Sequence, residues 1–287
     1  VHPIWPGGQL RRAFSKVHKI LPGCSGLDRP AGTGLLRVPR CGKGVHVGED
    51  TARKLGEKAR EAGIALSVHA PYFINLANPD PESRAKTTNY VLESCFVAQV
   101  MGAERIVIHS GALMKRSRQE ALDIAKETLK QVLEACDRQG YGNITLCPET
   151  MGKINQLGDL DEVLTLCTLD ERLIPCIDFG HLYARSLGEL EGEQACREML
   201  DKVERVLGEE RASRFHSHFS RIEFTPNGGE KTPPYLCRPR GLWAGLDAAG
   251  PGSGPPGLES HLHLRKRRYS SGGRGGDEEN LPGLLQL

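Results

Sequence analysis

Six side chains in the middle of this chain have types and spacing that could hold metal ions: His69, His109, Glu149, Asp178, His181 and His216. Neutral imidazole nitrogen is a borderline ligand, so histidines mixed with a Glu and an Asp suit Zn²⁺ or Mn²⁺ better than Mg²⁺. A carboxylate such as Glu149 can bridge two ions, and two ions about 4 Å apart can clamp the attacking and leaving oxygens of a phosphodiester. Taken singly, each residue has a plainer reading: a strand-end His hydrogen-bonded for structure, or an acid capping the next helix. The group is harder to dismiss, because these residues recur at one structural position in successive units.

Those units are read from the hydrophobic pattern. Helices are expected over 50–62, 81–101 (with Asp80 as N-cap), 117–137, 160–168 and 192–207. Strands are expected over 64–68, 105–108, 143–147, 173–177 and 214–219. Five strands separated by helices indicate parallel βα units of an α/β fold, and periodicity alone allows a doubly wound sheet or a (β/α)8 barrel. The strand ends decide for the barrel. His69, His109, Glu149 and Asp178 follow or end four strands, His181 lies three residues on, and His216 sits within the fifth strand. In a TIM barrel such ends converge on one mouth, where active sites are built.

Composition divides the 287 residues into three regions. The net charge of +2 is the sum of about +7 over 1–47, −7 over 48–231 and +2 over 232–287. Both ends are rich in Gly and Pro and the centre is not, which marks the ends as atypical of a packed core. The chain has no run of 18 apolar residues, so no membrane span is expected. Nine cysteines without C-x-x-C spacing argue against a zinc ribbon or disulfide framework and suit a reducing cytoplasm.

Local sequences then point to a family. Ser67-Val68-His69-Ala70-Pro71-Tyr72 with Ile74-Asn75-Leu76 resembles a segment of endonuclease IV, a family of zinc-dependent apurinic/apyrimidinic endonucleases with a TIM-barrel fold. The resemblance continues at Ile108-His109-Ser110-Gly111, Pro148-Glu149-Thr150, Cys176-Ile177-Asp178-Phe179-Gly180-His181 and Phe215-His216-Ser217-His218-Phe219-Ser220. It implies a trinuclear zinc site. His69 and His109 would hold one zinc, Glu149 would bridge to a second held by Asp178 and His216, and His181 would serve the third. A hydroxide made available by the metals would attack the phosphate 5′ to an abasic sugar, leaving a 3′-hydroxyl. Double-stranded DNA containing abasic sites is the implied partner, with Tyr72 on the loop facing it, and the implied protein is a cytoplasmic monomer acting in base-excision repair.

The chain also departs from that family. Where the family has an Asp-x-His pair for the third zinc, this chain reads Gly229-Glu230-Lys231-Thr232, so two zinc sites are better supported than three. Glu259 lacks the surroundings of the family's last glutamate, and His261 and His263 beside Arg265–Arg268 read as tail composition. The expected organisation is a barrel core over 42–231 flanked by an atypical basic segment, 1–41, and a low-complexity segment, 232–287. The first two strands and the last are not evident. Both ends being read out of frame would explain this, as would true low-complexity tails. Two rival functions follow: a sugar isomerase or epimerase built on one divalent metal in a xylose-isomerase-like barrel, or an incomplete barrel without activity.

Overall fold

The computed structural model describes residues 35–38, 47–190, 192–218 and 223–232. Its elements in chain order are β1 (Leu35–Val38), α1 (Glu49–Glu61), β2 (Ala65–His69), α2 (Pro81–Met101), β3 (Arg105–His109) and α3 (Arg118–Arg138). They continue with β4 (Thr145–Glu149), α4 (Leu160–Cys167), β5 (Cys176–Asp178), α5 (Phe179–Arg185), α6 (Gly192–Leu207), α7 (Glu209–Ala212) and β6 (His216–His218). A small hairpin, β7 (Glu223–Phe224) with β8 (Glu230–Thr232), follows. Strands β1 to β6 form one sheet in sequence order, every pair parallel. Helices separate the strands, as in part of a β/α barrel.

The helices start where the sequence supplies acceptors for their unpaired N–H groups. Asp80 accepts from the backbone of Glu82 and Ser83 ahead of α2, and Pro81 occupies the first turn, where a missing N–H costs nothing. Ser117 with Glu120, and Asp159 with Glu162, form reciprocal capping boxes on α3 and α4. The strands then alternate with period two. Leu66, Val68, Ile106, Ile108 and Leu146 belong to one large buried cluster with residues of α1, α2 and α3. Ile177 of β5 packs with Cys196, Met199 and Val203 of α6. The opposite parity carries Ser67, His69, Val107, His109, Cys147, Glu149, Cys176, Asp178, His216 and His218, and there Val107, Cys147, Ile174 and Cys176 make a separate small cluster.

Three features differ from the sequence reading. The strands β2, β4 and β5 lie one to three residues further along than expected, so His69, Glu149 and Asp178 are the last residues of their strands. In β4 this carries the strand through Pro148, which has no N–H to donate, and the registered pairing with β5 is the single pair Glu149 opposite Cys176. A strand also forms at Leu35–Val38, within residues 1–40 that show no strand pattern. Four residues are too few for periodicity to register, and this segment is held by pairing along the edge of β2. Finally, α5 is a short helix directly after β5, begun by Asp178 as its N-cap. Residues 1–34, and 233–287 with Glu259, His261, His263 and Arg265–Arg268, lie outside the described residues.

Helices α1 and α2 approach closely at Gly56, where an added Cβ would collide with the backbone of Met101. Intrinsic propensity alone would make Gly56→Ala stabilising by about 1 kcal/mol. Overpacking against backbone costs about 1–3 kcal/mol and should win. Urea denaturation should therefore show Gly56→Ala to be less stable than the parent, with an unchanged m-value.

Candidate metal centre

The strand ends bring His69, His109, Glu149, Asp178 and His218 to one place. Glu149 is at its centre and is 1% exposed. Its Oε2 accepts from His69 Nε2 at 3.0 Å and lies 3.1 Å from His109 Nε2. Its Oε1 accepts from His218 Nδ1 at 2.6 Å and lies 3.9 Å from His181 Nδ1. The two oxygens thus face two different nitrogen sets. Burial pushes the Glu149 carboxyl up, but the imidazoles of His218, His69 and His109 outweigh it and hold the group well below the usual carboxylate range. Asp178 is equally buried, and burial is likewise outweighed by His181 and His218, which hold its carboxyl down.

Backbone carbonyls orient the rings. His69 Nδ1 donates to the Ala70 carbonyl at 2.6 Å, His109 Nδ1 to that of Tyr72 at 2.8 Å, and His181 Nδ1 to that of Thr150 at 2.8 Å. Metal-bound histidines are ordinarily fixed in this way, one ring nitrogen on a carbonyl and the other on the ion. The donor count also tests the fit. A carbonyl oxygen only accepts, so Nδ1 of both His69 and His109 carries a proton. Their Nε2 atoms then meet an ionised carboxylate, which also only accepts. Both Nε2 atoms thus converge on one carboxylate oxygen, with the ring centroids 5.0 Å apart. A divalent ion would be held there by His69, His109 and Glu149. The donor set fits a metal.

Among the described residues three sets of donor atoms lie close enough to share an ion: His69, His109 and Glu149; Glu149, Asp178 and His218; and Cys176, His216 and His218. His218 thus stands beside Glu149 and Asp178, where the resemblance implies His216. His216 lies one pair deeper, opposite Cys176 in the register, while His218 is opposite Asp178. The signal was present in the sequence: His-x-His on a strand puts both rings on one face, and the strand-end rule selects the second. His181 belongs to none of the three sets. Where the family places its Asp-x-His pair, Gly228 and Gly229 dock on the loop after β4, with the Gly229 N–H donating to the Gly152 carbonyl. A Cβ on Gly152 would touch both Gly229 and the His181 ring.

Asp178 combines two readings. Its Oδ1 caps α5 by accepting from the His181 N–H at 2.8 Å, while Oδ2 lies 3.6 Å from both His181 and His218 Nδ1. Asn75 latches the first two loops together, its Oδ1 accepting from the N–H groups of Ala77 and Ala112. Gly111 is required there, since φ is +122° and a Cβ would strike that Asn75 oxygen. Tyr72 presents a ring 65% exposed at the rim, edge-on to Phe73, which in turn meets Tyr90.

A sequence profile described as the Xylose isomerase-like TIM barrel family matches residues 30–238. The chain belongs to this family. An uncharacterized protein of Methanocaldococcus jannaschii is 37% identical over 189 residues, covering 66% of this chain and 67% of that protein. A probable endonuclease 4 of Acholeplasma laidlawii is 33% identical over 132 residues, covering 43% of this chain and 44% of that protein. The chain therefore spans from under half to about two thirds of these relatives. Two solved structures share the fold. A D-tagatose 3-epimerase-like protein aligns with a TM-score of 0.53 at 20% identity, over 66% of this chain and 68% of its own. Endonuclease IV of Thermus thermophilus aligns at 0.50 and 19%, over 79% and 76%. No helix among the described residues is long and apolar enough to cross a membrane.

Thr150 ties the centre to β5: its buried hydroxyl accepts from the Asp178 N–H at 2.8 Å, and its carbonyl holds His181. Thr150→Val keeps the shape and strands that N–H. It should cost about 1–3 kcal/mol in thermal or urea unfolding, and weaken zinc binding in a competition titration by about 10-fold or more.

Proposed function

We propose that this chain is a metal-dependent phosphodiesterase that cleaves DNA 5′ to abasic sites and leaves a 3′-hydroxyl. The observation that carries the reading is Glu149, whose Oε2 faces His69 and His109 while Oε1 faces His218. A carboxylate so placed suits a bridge between two ions. In this reading His69, His109 and Oε2 hold one ion, and Oε1, Asp178 and His218 hold the other, with Zn²⁺ the best match to the donors. When bound, such ions supply a nucleophilic water near neutral pH and offset charge on the phosphate.

The protein's own residues do the positioning. The carbonyls of Ala70 and Tyr72 fix the two imidazoles so that only Nε2 is turned inward. Asp178 keeps Oδ2 for the centre because Oδ1 is committed to α5. The exposed Tyr72 ring stands at the rim, suited to stack beside a gap in a base column. The relatives described as probable endonuclease 4 support the same reading by sequence. His216 takes no part in the two-ion centre, and His181 is left for a third ion.

One observation favours a second reading. Glu149, Asp178 and His218 make a complete three-residue seat without His69 or His109, which would serve a single-metal sugar epimerase. Metal stoichiometry and a nicking assay on an abasic duplex separate the two. The first reading expects at least two zinc equivalents per chain, nicking abolished by EDTA, one equivalent lost in His109→Ala, and Glu149→Gln at least about 100-fold slower. One equivalent retained in His109→Ala, with ketose epimerisation and no nicking, would overturn it.

A further inference from the structure

One layer below the mouth, the inward face of β5 and β6 repeats the pattern with a softer donor. Cys176 pairs with His216 in the register and Asp178 with His218, so the four residues form a two-by-two array pointing one way. All four are buried. Cys176 Sγ lies 3.6 Å from His218 Nδ1 and 3.8 Å from Nε2, and one donor atom each from Cys176, His216 and His218 falls within 4.8 Å of the others. With metal–nitrogen bonds of about 2.05 Å and metal–sulfur bonds of about 2.3 Å, a tetrahedral ion sets its nitrogen and sulfur ligands about 3.6 Å apart. The Sγ–Nδ1 separation matches that of two ligands on one ion, and in the metal-free chain it is a thiol–imidazole hydrogen bond.

The plainer account treats Cys176 as a small apolar side chain in the cluster with Val107, Cys147 and Ile174. That account covers the sulfur alone. Of the two imidazoles on the same buried face, His218 is matched by Glu149 Oε1 above it, and His216 stands level with the sulfur.

We infer that Cys176, His216 and His218 form a second metal seat, thiolate-bearing and distinct from the carboxylate seat above it, for a soft or borderline ion such as Zn²⁺ or Cd²⁺. On binding, the Cys176 thiol would release its proton to the buffer and the sulfur electron pair would form the metal bond; with both seats filled His218 would bind through both ring nitrogens as an imidazolate and release its remaining ring proton too, with no change of oxidation state. His218 is common to both seats, so its ring links the mouth to the layer beneath. The inference goes beyond the proposed nuclease reading and needs no turnover.

X-ray absorption at the zinc edge tests it on the full chain, stripped with EDTA and reloaded to saturation with zinc alone. A sulfur shell at about 2.3 Å is expected beside the nitrogen and oxygen shell. Cys176→Ser should lose the sulfur shell and keep the other, and Glu149→Gln should keep the sulfur shell whatever becomes of nicking. Nitrogen and oxygen scattering alone in the parent protein would overturn the inference without reference to any variant. A sulfur shell that persists in Cys176→Ser, supplied by another cysteine, would overturn it equally.

Discussion

An ionised carboxylate buried to 1% exposure, Glu149, is the constraint around which the rest of this protein is arranged. Such a charge costs several kcal/mol in the interior unless oppositely charged or hydrogen-bonded partners surround it. Here the partners come from separate strands: His69 from β2, His109 from β3 and His218 from β6, each the last residue of its strand. None of these strands can shift by one residue without turning its histidine to the helical side. The register of the sheet and the charge balance of the centre are therefore one requirement, met together.

The sheet can satisfy that requirement because its two faces are given to different jobs. Outward residues such as Val68, Ile106 and Ile108 are fully buried against helices and supply the hydrophobic driving force. Inward residues are then left for chemistry. Loops leaving the strand ends would be the soft part of such a design, and polar latches stiffen them. Asn75 joins the loops after β2 and β3, while Thr150 ties β4 to β5. Two arginines brace the loop after β4. Arg185 donates to the carbonyls of Met151, Lys153 and Gln156, and Arg118 to those of Ile154 and Gln156 while it grips Glu162.

Much of this was legible in the sequence because its signals are local and periodic. The long helices α2, α3 and α6 have bounds within a residue or two of those the apolar pattern predicts, and Asp80 caps α2 as its position suggests. The ligand-type residues were legible because a repeated βα unit exposes whatever recurs at its end. What escaped depends on partners distant in sequence. Strand β1 is four residues held by the edge of β2, a contact no local window contains. Helix α5 is seven residues, too short for its own apolar pattern to show, and only the capping reading of Asp178 pointed to it. The choice between His216 and His218 turned on where β6 ends. A family motif pointed to the first residue, whereas pairing with β5 sets the second level with Asp178.

The donor count at His69 and His109 bears on which chemistry this barrel supports. A one-ion centre on Glu149, Asp178 and His218 leaves both of those rings with Nδ1 on a carbonyl and Nε2 turned to the same carboxylate oxygen. Two rings would then stand edge to face against one carboxylate oxygen. An ion on the Oε2 side would use both nitrogens. The geometry of His69 and His109 is therefore matched to an ion on the Oε2 side of Glu149, and that of His218 and Asp178 to one on the Oε1 side.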